Sequence, residues 1–154
     1  MKSNNNVSVF GGGSWGTSLA NLIAHNSKKV NIWAKESSVC DSINKIQENK
    51  LFLPGHKLSK NLNATNDIKN KDLINSDIYI FAIPTQYLRP ILIKLKKYLN
   101  KKSLIVNASK GIEIKSLKFI NEVFNETLNV SPRKYITLSG PSFAKDVIAE
   151  LPTA

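Results

Sequence analysis

Four glycines stand within six positions in the segment VFGGGSWG, residues 9–16. Glycine loses more conformational entropy on folding than any other residue, so an ordered loop of this composition requires positions without side chains. The spacing Gly11-x-Gly13-x-x-Gly16 follows a predicted strand at residues 7–10 and opens a predicted helix at residues 14–25. A strand, this glycine spacing and a helix, in that order, form the dinucleotide-binding fingerprint in the setting that it requires.

Each glycine of the fingerprint has an expected role. Gly11 forms the tight turn, Gly13 lets the backbone approach the pyrophosphate of a bound dinucleotide, and Gly16 lets the helix pack closely on the strands. The helix N-terminus attracts the pyrophosphate through its free N–H groups and its dipole. A tight turn without a ligand is the alternative for the motif alone, and the strands and helix around it favour the binding role.

Further strand and helix patterns alternate along the chain. Strands are predicted at residues 30–34, 77–84, 103–108 and 135–138, and helices at residues 67–75, 90–99 and 117–128. Pro90 is expected at the first position of its helix, and the rest of residues 35–76 has no regular pattern. Apolar strands separated by helices predict a Rossmann-type α/β fold, with a doubly wound, mostly parallel sheet and helices on both faces, in one domain over residues 1–154.

The net charge of +11 raises the possibility of a nucleic-acid partner. However, Arg89 and Arg133 are the only arginines among the 22 basic residues, and the lysines are scattered along the chain. Arginine is the residue best suited to forked phosphate or base contacts. We therefore expect no nucleic-acid partner, although a basic surface suits a ligand that carries several phosphates.

The sequence shows no pattern typical of a signal peptide, a membrane span or an internal disulfide. The N-terminus has no apolar segment typical of a signal peptide, and no apolar run approaches the ~18 residues of a membrane span. The single cysteine, Cys40, cannot form an internal disulfide and is expected to be a buried or semi-buried thiol. We therefore expect no membrane span, no metal site and a cytoplasmic location.

The end of the second strand bears on the choice of cofactor. The fingerprint expects an acid there, bonded to the adenosine ribose 2′-hydroxyl, and Ala34 stands at about that position. Lys35 follows and would accept the 2′-phosphate of NADP, or it is a solvated loop lysine in a lysine-rich chain. Glu36 could still serve a ribose, so the choice between NAD and NADP stays open.

Seven segments in order carry a resemblance that spans nearly the whole chain. They are VFGGGSWGT (residues 9–17), NIWAK (31–35), FLPG (52–55), AIPTQ (82–86), ASKGIE (108–113), LSGPSFAK (138–145) and LPTA (151–154). In this combination the chain resembles the N-terminal cofactor-binding domain of the bacterial-type NAD(P)-dependent glycerol-3-phosphate dehydrogenases.

The resemblance implies hydride exchange between NAD or NADP and the C2 carbinol of sn-glycerol 3-phosphate, with dihydroxyacetone phosphate as the oxidised partner, for phospholipid synthesis. It assigns to the cofactor Ser14, Trp15, Lys35, Phe52 and Ala144. It assigns Lys110 to both ligands, and Gly140 and Ser142 to the substrate. Lys35 stands where the family commonly has arginine or histidine, Phe52 where tyrosine is common, and Ala34 at a position that the family leaves free.

The position of Lys110 agrees with this assignment. It follows the strand at residues 103–108, at the carboxyl edge of the predicted sheet, where ligands of open α/β sheets bind. Its ammonium could orient the substrate and stabilise a developing alkoxide. The alternative is one more surface lysine.

The family continues into a helical substrate domain that carries its main acid/base lysine, and this domain is absent from the present chain. The chain alone is therefore expected to bind cofactor without full catalysis, and a homodimer is one possibility for the full-length enzyme. Two alternatives stay open: a related dehydrogenase of another hydroxy acid, and a non-catalytic dinucleotide-binding module.

Overall fold

The computed structural model describes residues 5–152, so residues 1–4 of the predicted domain and the last two residues of the LPTA segment lie outside it. Within the described part, eight strands occupy Val7–Phe10 (β1), Val30–Trp33 (β2), Leu62–Thr65 (β3), Ile78–Phe81 (β4), Leu104–Asn107 (β5), Ile112–Glu113 (β6), Lys118–Phe119 (β7) and Tyr135–Thr137 (β8). Six α-helices occupy Ser14–Asn26 (α1), Ser37–Ile46 (α2), Lys71–Ile74 (α3), Thr85–Leu95 (α4), Ile120–Leu128 (α5) and Ala144–Ile148 (α6), and a 3-10 helix occupies Pro132–Lys134.

Six of the strands form one parallel sheet in the order β3-β2-β1-β4-β5-β8. The chain begins in the middle with β1, proceeds outward through β2 and β3, and then crosses back to β4 on the other side of β1. Val7 consequently lies opposite both Val30 and Ile78. The predicted Rossmann-type, doubly wound α/β fold is confirmed, and the strand order reverses between β1 and β4.

Each face of the sheet is covered by a separate core layer. Helices α1, α2 and α6 bury aliphatic side chains such as Leu19, Ile43 and Ile148 against one face. Helices α3, α4 and α5 cover the other face, which is rich in aromatic rings. There Phe81 stacks on Phe10, with ring centroids 4.9 Å apart, and meets the edge of Phe124 at 5.1 Å. Burying one such side chain contributes about 1.5–3 kcal/mol, so both layers hold the sheet.

Two elements of the irregular region were not predicted. Helix α2 buries only Val39, Cys40 and Ile43, so its apolar stripe is too narrow to give a clear helical pattern. Strand β3 is short, and only Leu62 of its four residues is fully buried. Its extended conformation depends on pairing with β2 rather than on its own composition. Cys40 is buried as expected, and burial raises the pKa of its thiol.

The prediction for Pro90 was wrong. Helix α4 begins at Thr85, directly after Pro84 in the N-cap position, and Pro90 lies inside the helix. A proline at this position removes one backbone hydrogen bond, to the carbonyl of Gln86. The α4 turn before it is held instead by side-chain contacts to the segment after β5.

The region from residue 112 to the C-terminus also differs in detail from the prediction. The helix expected at residues 117–128 begins only at Ile120, because the two preceding residues pair with Ile112–Glu113 in an antiparallel ribbon. Helix α6 was not predicted, since it has only five residues. Within residues 5–152, no helix is long and apolar enough to cross a membrane.

Candidate functional site

A cavity of about 850 Å³ lies at the carboxyl ends of β1 and β4, where the strand order reverses. This crevice is where open α/β sheets bind their ligands, and its volume is typical of ligand pockets. Its walls come from the glycine loop, the end of β2, one face of α4, and the segments after β5 and β8. The lining residues include Gly11, Gly12, Gly13, Ser14, Trp15, Gly16, Lys35, Phe52, Ser109, Lys110, Ser142 and Ala144.

The glycine loop is fixed by close backbone contacts. Gly11 has φ +126, and a Cβ on it would stand 2.3 Å from the carbonyl oxygen of Ala82 at the end of β4. A Cβ on Gly16 would stand 1.9 Å from the carbonyl oxygen of Gly11. These two positions therefore match the tight turn and the close helix packing expected of them.

Gly12, which the fingerprint leaves free, is also restricted. A Cβ on it would lie 2.3 Å from the Cβ of Ala34. Ala34 is fully buried, and its side chain packs under the glycine loop rather than facing the cavity. This strand end places its next residues, Lys35 and Glu36, at the cavity, and which of them contacts a ribose stays a prediction.

The open part of the loop is Gly13. A Cβ there would meet nothing within 4 Å, and α1 begins at the next residue, without a side-chain cap and without an acidic residue in its first turn. The first N–H groups of a helix have no partner within it. The head of α1 thus presents donors and a positive dipole end at the cavity wall.

Asn49 anchors the glycine loop from behind, a role that the sequence did not indicate. Its fully buried amide donates to the carbonyl of Gly12 and to the hydroxyl of Thr17, both at 2.8 Å. Its side-chain oxygen accepts the N–H of Phe52 at 3.1 Å. One side chain therefore fixes the loop and the neighbouring segment that carries Phe52 to the cavity.

Lys110 lies at the cavity with several of the other predicted residues. Its Nζ donates to the carbonyl of Ser142 at 3.4 Å and stands 5.3 Å from the centroid of the Trp15 ring. The Trp15 indole N–H donates in turn to the carbonyl of Ala108 at 2.9 Å. Ala144 is tied to α1, since its carbonyl accepts the hydroxyl of Ser18 at 2.8 Å. The first turn of α1 and the segments after β5 and β8 thus meet around one ammonium group.

Gly140 is the predicted site residue that the structure leaves apart from the others. It lies in the exposed turn after β8, and among the described residues it is not part of the cavity wall. Its expected contact with substrate stays a prediction.

One wall of the cavity is a face of α4 that was not predicted to contact a ligand. Tyr87, Pro90, Ile91 and Lys94 line it. Tyr87 and Lys94 each lie three or four residues from Pro90 and Ile91, which places the four on one side of a helix. Tyr87 is largely exposed, with 67% of its surface accessible. The predicted helix at residues 90–99 included Pro90, Ile91 and Lys94 but not Tyr87, and the sequence did not indicate that they face a cavity.

A group of charged residues lies where α4 meets the β6–β7 ribbon. Arg89 binds Glu113 through two forked hydrogen bonds, and this pairing lowers the pKa of the Glu113 carboxyl to about 2. The same pairing raises the pKa of the Arg89 guanidinium. Within residues 5–152, no group of three or more histidine, cysteine or acidic side chains is placed to hold a metal ion.

Comparison with known proteins adds independent information. The sequence-family model described as the N-terminus of NAD-dependent glycerol-3-phosphate dehydrogenase matches residues 6–154. Glycerol-3-phosphate dehydrogenase [NAD(P)+] from Carboxydothermus hydrogenoformans is 41% identical over 148 residues, which are 96% of this chain and 44% of the relative. The chain thus spans less than half the length of this curated relative.

Solved structures of glycerol-3-phosphate dehydrogenases are similar to this chain as well. Glycerol-3-phosphate dehydrogenase from Coxiella burnetii is similar with a TM-score of 0.88 and 29% identity, over 97% of this chain and 45% of that one. The enzyme from Saccharomyces cerevisiae gives a TM-score of 0.83 and 29% identity, over 96% of this chain and 45% of that one.

Proposed function

Because the chain belongs to the NAD-dependent glycerol-3-phosphate dehydrogenases by its match to the N-terminus of that family, we propose that it binds NAD or NADP. The proposed reaction is the interconversion of dihydroxyacetone phosphate and sn-glycerol 3-phosphate, as a step toward phospholipids. The observation that carries the proposal is the glycine loop at the head of α1, which opens into the same cavity as Lys110 and Ser142.

The loop fits the pyrophosphate of a dinucleotide. Only Gly13 has open space where a side chain would stand, among the four glycines of the loop, and this space adjoins the head of α1. N–H groups and the helix dipole stabilise a phosphate anion there. Gly11 and Gly16 shape the loop, and the other proposed cofactor contacts are Ser14, Trp15, Lys35, Phe52, Lys110 and Ala144.

The bound nicotinamide supplies the hydride, and the protein supplies orientation and electrostatics. Lys110 is our candidate for both roles, because its ammonium lies at the cavity wall and contacts the Trp15 ring and the Ser142 carbonyl. There it orients the oxygen on C2 of the substrate and stabilises negative charge that develops on it. Ser142 and the turn at Gly140 would complete the substrate contacts from β8.

The acid/base lysine belongs to the family's second domain according to the resemblance. General acid–base catalysis contributes about 10²–10⁴-fold to rates. Residues 1–154 alone are therefore expected to bind cofactor without sustained turnover. We further propose that the full-length enzyme acts in the cytoplasm, and that a homodimer is its assembly.

The decisive experiment measures NADH oxidation with dihydroxyacetone phosphate by the full natural chain, and by its Lys110→Ala variant. Loss of a stabilising donor at a developing oxyanion costs about 10²–10³-fold in kcat, so kcat should fall by that order while the Kd for NADH changes much less. Lys115→Ala is the matched control, because Lys115 is exposed in the neighbouring ribbon. Near-normal kcat in Lys110→Ala would make Lys110 a surface lysine.

The same assay separates the alternatives. A full chain that binds NADH and turns over no dihydroxyacetone phosphate would favour a non-catalytic dinucleotide-binding module. Turnover of other hydroxy acids in place of glycerol 3-phosphate would favour a related dehydrogenase. A nucleic-acid partner would require binding that falls steeply with salt, and we propose none.

A further inference from the structure

Helix α4 holds the segment that follows Lys110 at several successive points. The hydroxyl of Thr85 donates to the carbonyl of Lys110 itself at 2.5 Å. The Gln86 amide donates to the carbonyl of Ile112 at 2.8 Å, and its side-chain oxygen accepts the N–H of Ile114 at 3.0 Å. Gln86 thus replaces a strand partner for this stretch of backbone.

Arg89, one turn further along α4, holds the side chain of the same segment. Its Nε lies 2.9 and 3.0 Å from the two carboxylate oxygens of Glu113, and its Nη2 lies 2.7 Å from Oε2. Its Nη1 also pairs with Glu126 of α5 at 2.9 Å. Glu113 is largely buried, with 10% of its side chain accessible, and accepts a further bond from Ser116 at 2.5 Å. A forked pair of this kind restricts orientation as well as distance.

The residue before Lys110 is fixed as well. The hydroxyl of Ser109 accepts the N–H of Ile83 at 3.1 Å, and the N–H of Ser109 donates to the side chain of Asn107 at 3.0 Å. After Lys110 the chain turns at Gly111, which has φ +94. Lys110 therefore projects from a short backbone stretch that is held on both sides, although its own side chain is exposed.

From these contacts we infer that Thr85, Gln86 and Arg89 form an α4 clamp whose task is to aim the ammonium of Lys110. Arg89 and Gln86 are positioning residues: they act on the reaction through the backbone that carries Lys110. This inference rests on the proposed function for the claim that Lys110 acts on the substrate. The contacts themselves give the clamp a second, independent prediction, namely that its loss releases Lys110 from the Trp15 ring.

The first test is kinetic and uses the full natural chain. Arg89→Met removes the forked pair, Gln86→Ala removes both backbone contacts, and Arg133→Met changes the other arginine, which is exposed, as the control. A displacement of about 1 Å near the reacting atoms can cost on the order of 10²-fold in rate. We expect kcat with dihydroxyacetone phosphate to fall about ten- to a hundredfold in the clamp variants, with the Kd for NADH near the parent value.

Two further variants separate positioning from stability. Arg89→Met combined with Glu113→Gln leaves no unpaired carboxylate, so it should recover the Tm but not kcat. Arg89→Lys keeps the charge without the planar fork and should recover only part of kcat. Parent kcat in both Arg89→Met and Gln86→Ala, or recovery of kcat together with Tm in the double variant, would overturn the inference.

The second test does not depend on activity. Lysines are reductively methylated with ¹³C, and the Lys110 signal is assigned by its loss in Lys110→Arg. Because this ammonium stands 5.3 Å from the centroid of the Trp15 ring, its methyl resonance should be displaced by the ring current. In Arg89→Met and Gln86→Ala it should move to the position of the exposed lysines, whereas an unchanged resonance would overturn the clamp. If the parent chain shows no turnover, the proposed reaction fails and this resonance still decides the clamp.

Discussion

Replacement of Gly16 by alanine tests how closely α1 must pack on the strands for the loop to exist. The added Cβ would stand 1.9 Å from the carbonyl oxygen of Gly11 and 3.3 Å from the Cβ of Ala82. The nearer obstacle is a main-chain atom, so no side-chain rotation relieves the contact. Helix α1 would have to move away from the end of β1.

The size of the effect follows from two opposed contributions. Overpacking a well-packed site costs about 1–3 kcal/mol, while alanine is up to about 1 kcal/mol better than glycine inside a helix. Gly16 lies in the first turn of α1, so only part of that gain applies. A net loss of about 1–2 kcal/mol corresponds to a fall in Tm of about 2–8 °C for a chain of this size.

Gly13→Ala is the matched variant, because its Cβ meets nothing within 4 Å and its φ of −71 suits any residue. We expect a Tm near the parent value and a weaker affinity for NADH, since the methyl group takes the space that the pyrophosphate would approach. Differential scanning calorimetry gives the Tm, and isothermal titration gives the Kd. A parent Tm in Gly16→Ala would refute the packing argument, and parent NADH affinity in Gly13→Ala would refute the placement of the pyrophosphate.

Other substitutions test separate parts of the site. Gly12→Ala should lower the free energy of unfolding by about 1–3 kcal/mol through overpacking. Adding Ala34→Gly should restore most of that loss, because the Cβ of Ala34 is the obstacle at 2.3 Å. A double variant no more stable than Gly12→Ala would contradict this. Lys35→Ala should lower the affinity for NADPH about tenfold, or ~1.4 kcal/mol, and leave the affinity for NADH unchanged. An equal loss of affinity for both cofactors in calorimetric titrations, or no loss for either, would show that Lys35 does not contact the 2′-phosphate. The pKa of Glu113 is lowered from 4.5 to about 2, first of all by Arg89, so its contribution to the free energy of unfolding is present above about pH 4.5 and is lost as the pH falls toward 2. Glu113→Gln should therefore flatten the decline of Tm with acid over that range, and a decline as steep as the parent's would count against this origin.

The parts of the fold that the sequence predicted are those with strong local patterns. Strand β1 and helix α1 were predicted because a short strand that is apolar apart from Ser8, the glycines and a helical spacing agree with one another. Helix α2 and strand β3 have mostly polar sequences, and they are ordered by contacts with β2 and the core. Pro90 misled the prediction because proline favours the start of a helix, and here a side-chain network supports the turn before it.

The sequence could predict those site residues that lie after the carboxyl ends of strands. Lys110 and Ser142 lie in the segments that follow β5 and β8, and the carboxyl ends of parallel strands meet at one edge. The anchor at Asn49 could not be foreseen, since it contacts Gly12 across 37 positions of sequence. The pair between Arg89 and Glu113 spans 24 positions, and its only signal in the sequence is the scarcity of arginine.

The chain has two tryptophans, and both line the cavity. Each indole is held by a hydrogen bond from its N–H to a main-chain carbonyl, Trp15 to Ala108 and Trp33 to Asn66. The tryptophan fluorescence of residues 1–154 therefore originates entirely at the site. Quenching of this tryptophan emission, or energy transfer from it to a reduced nicotinamide, would report ligand entry without a label. In residues 1–154, Trp33→Phe would leave Trp15, the indole beside the Lys110 ammonium, as the one tryptophan emitter.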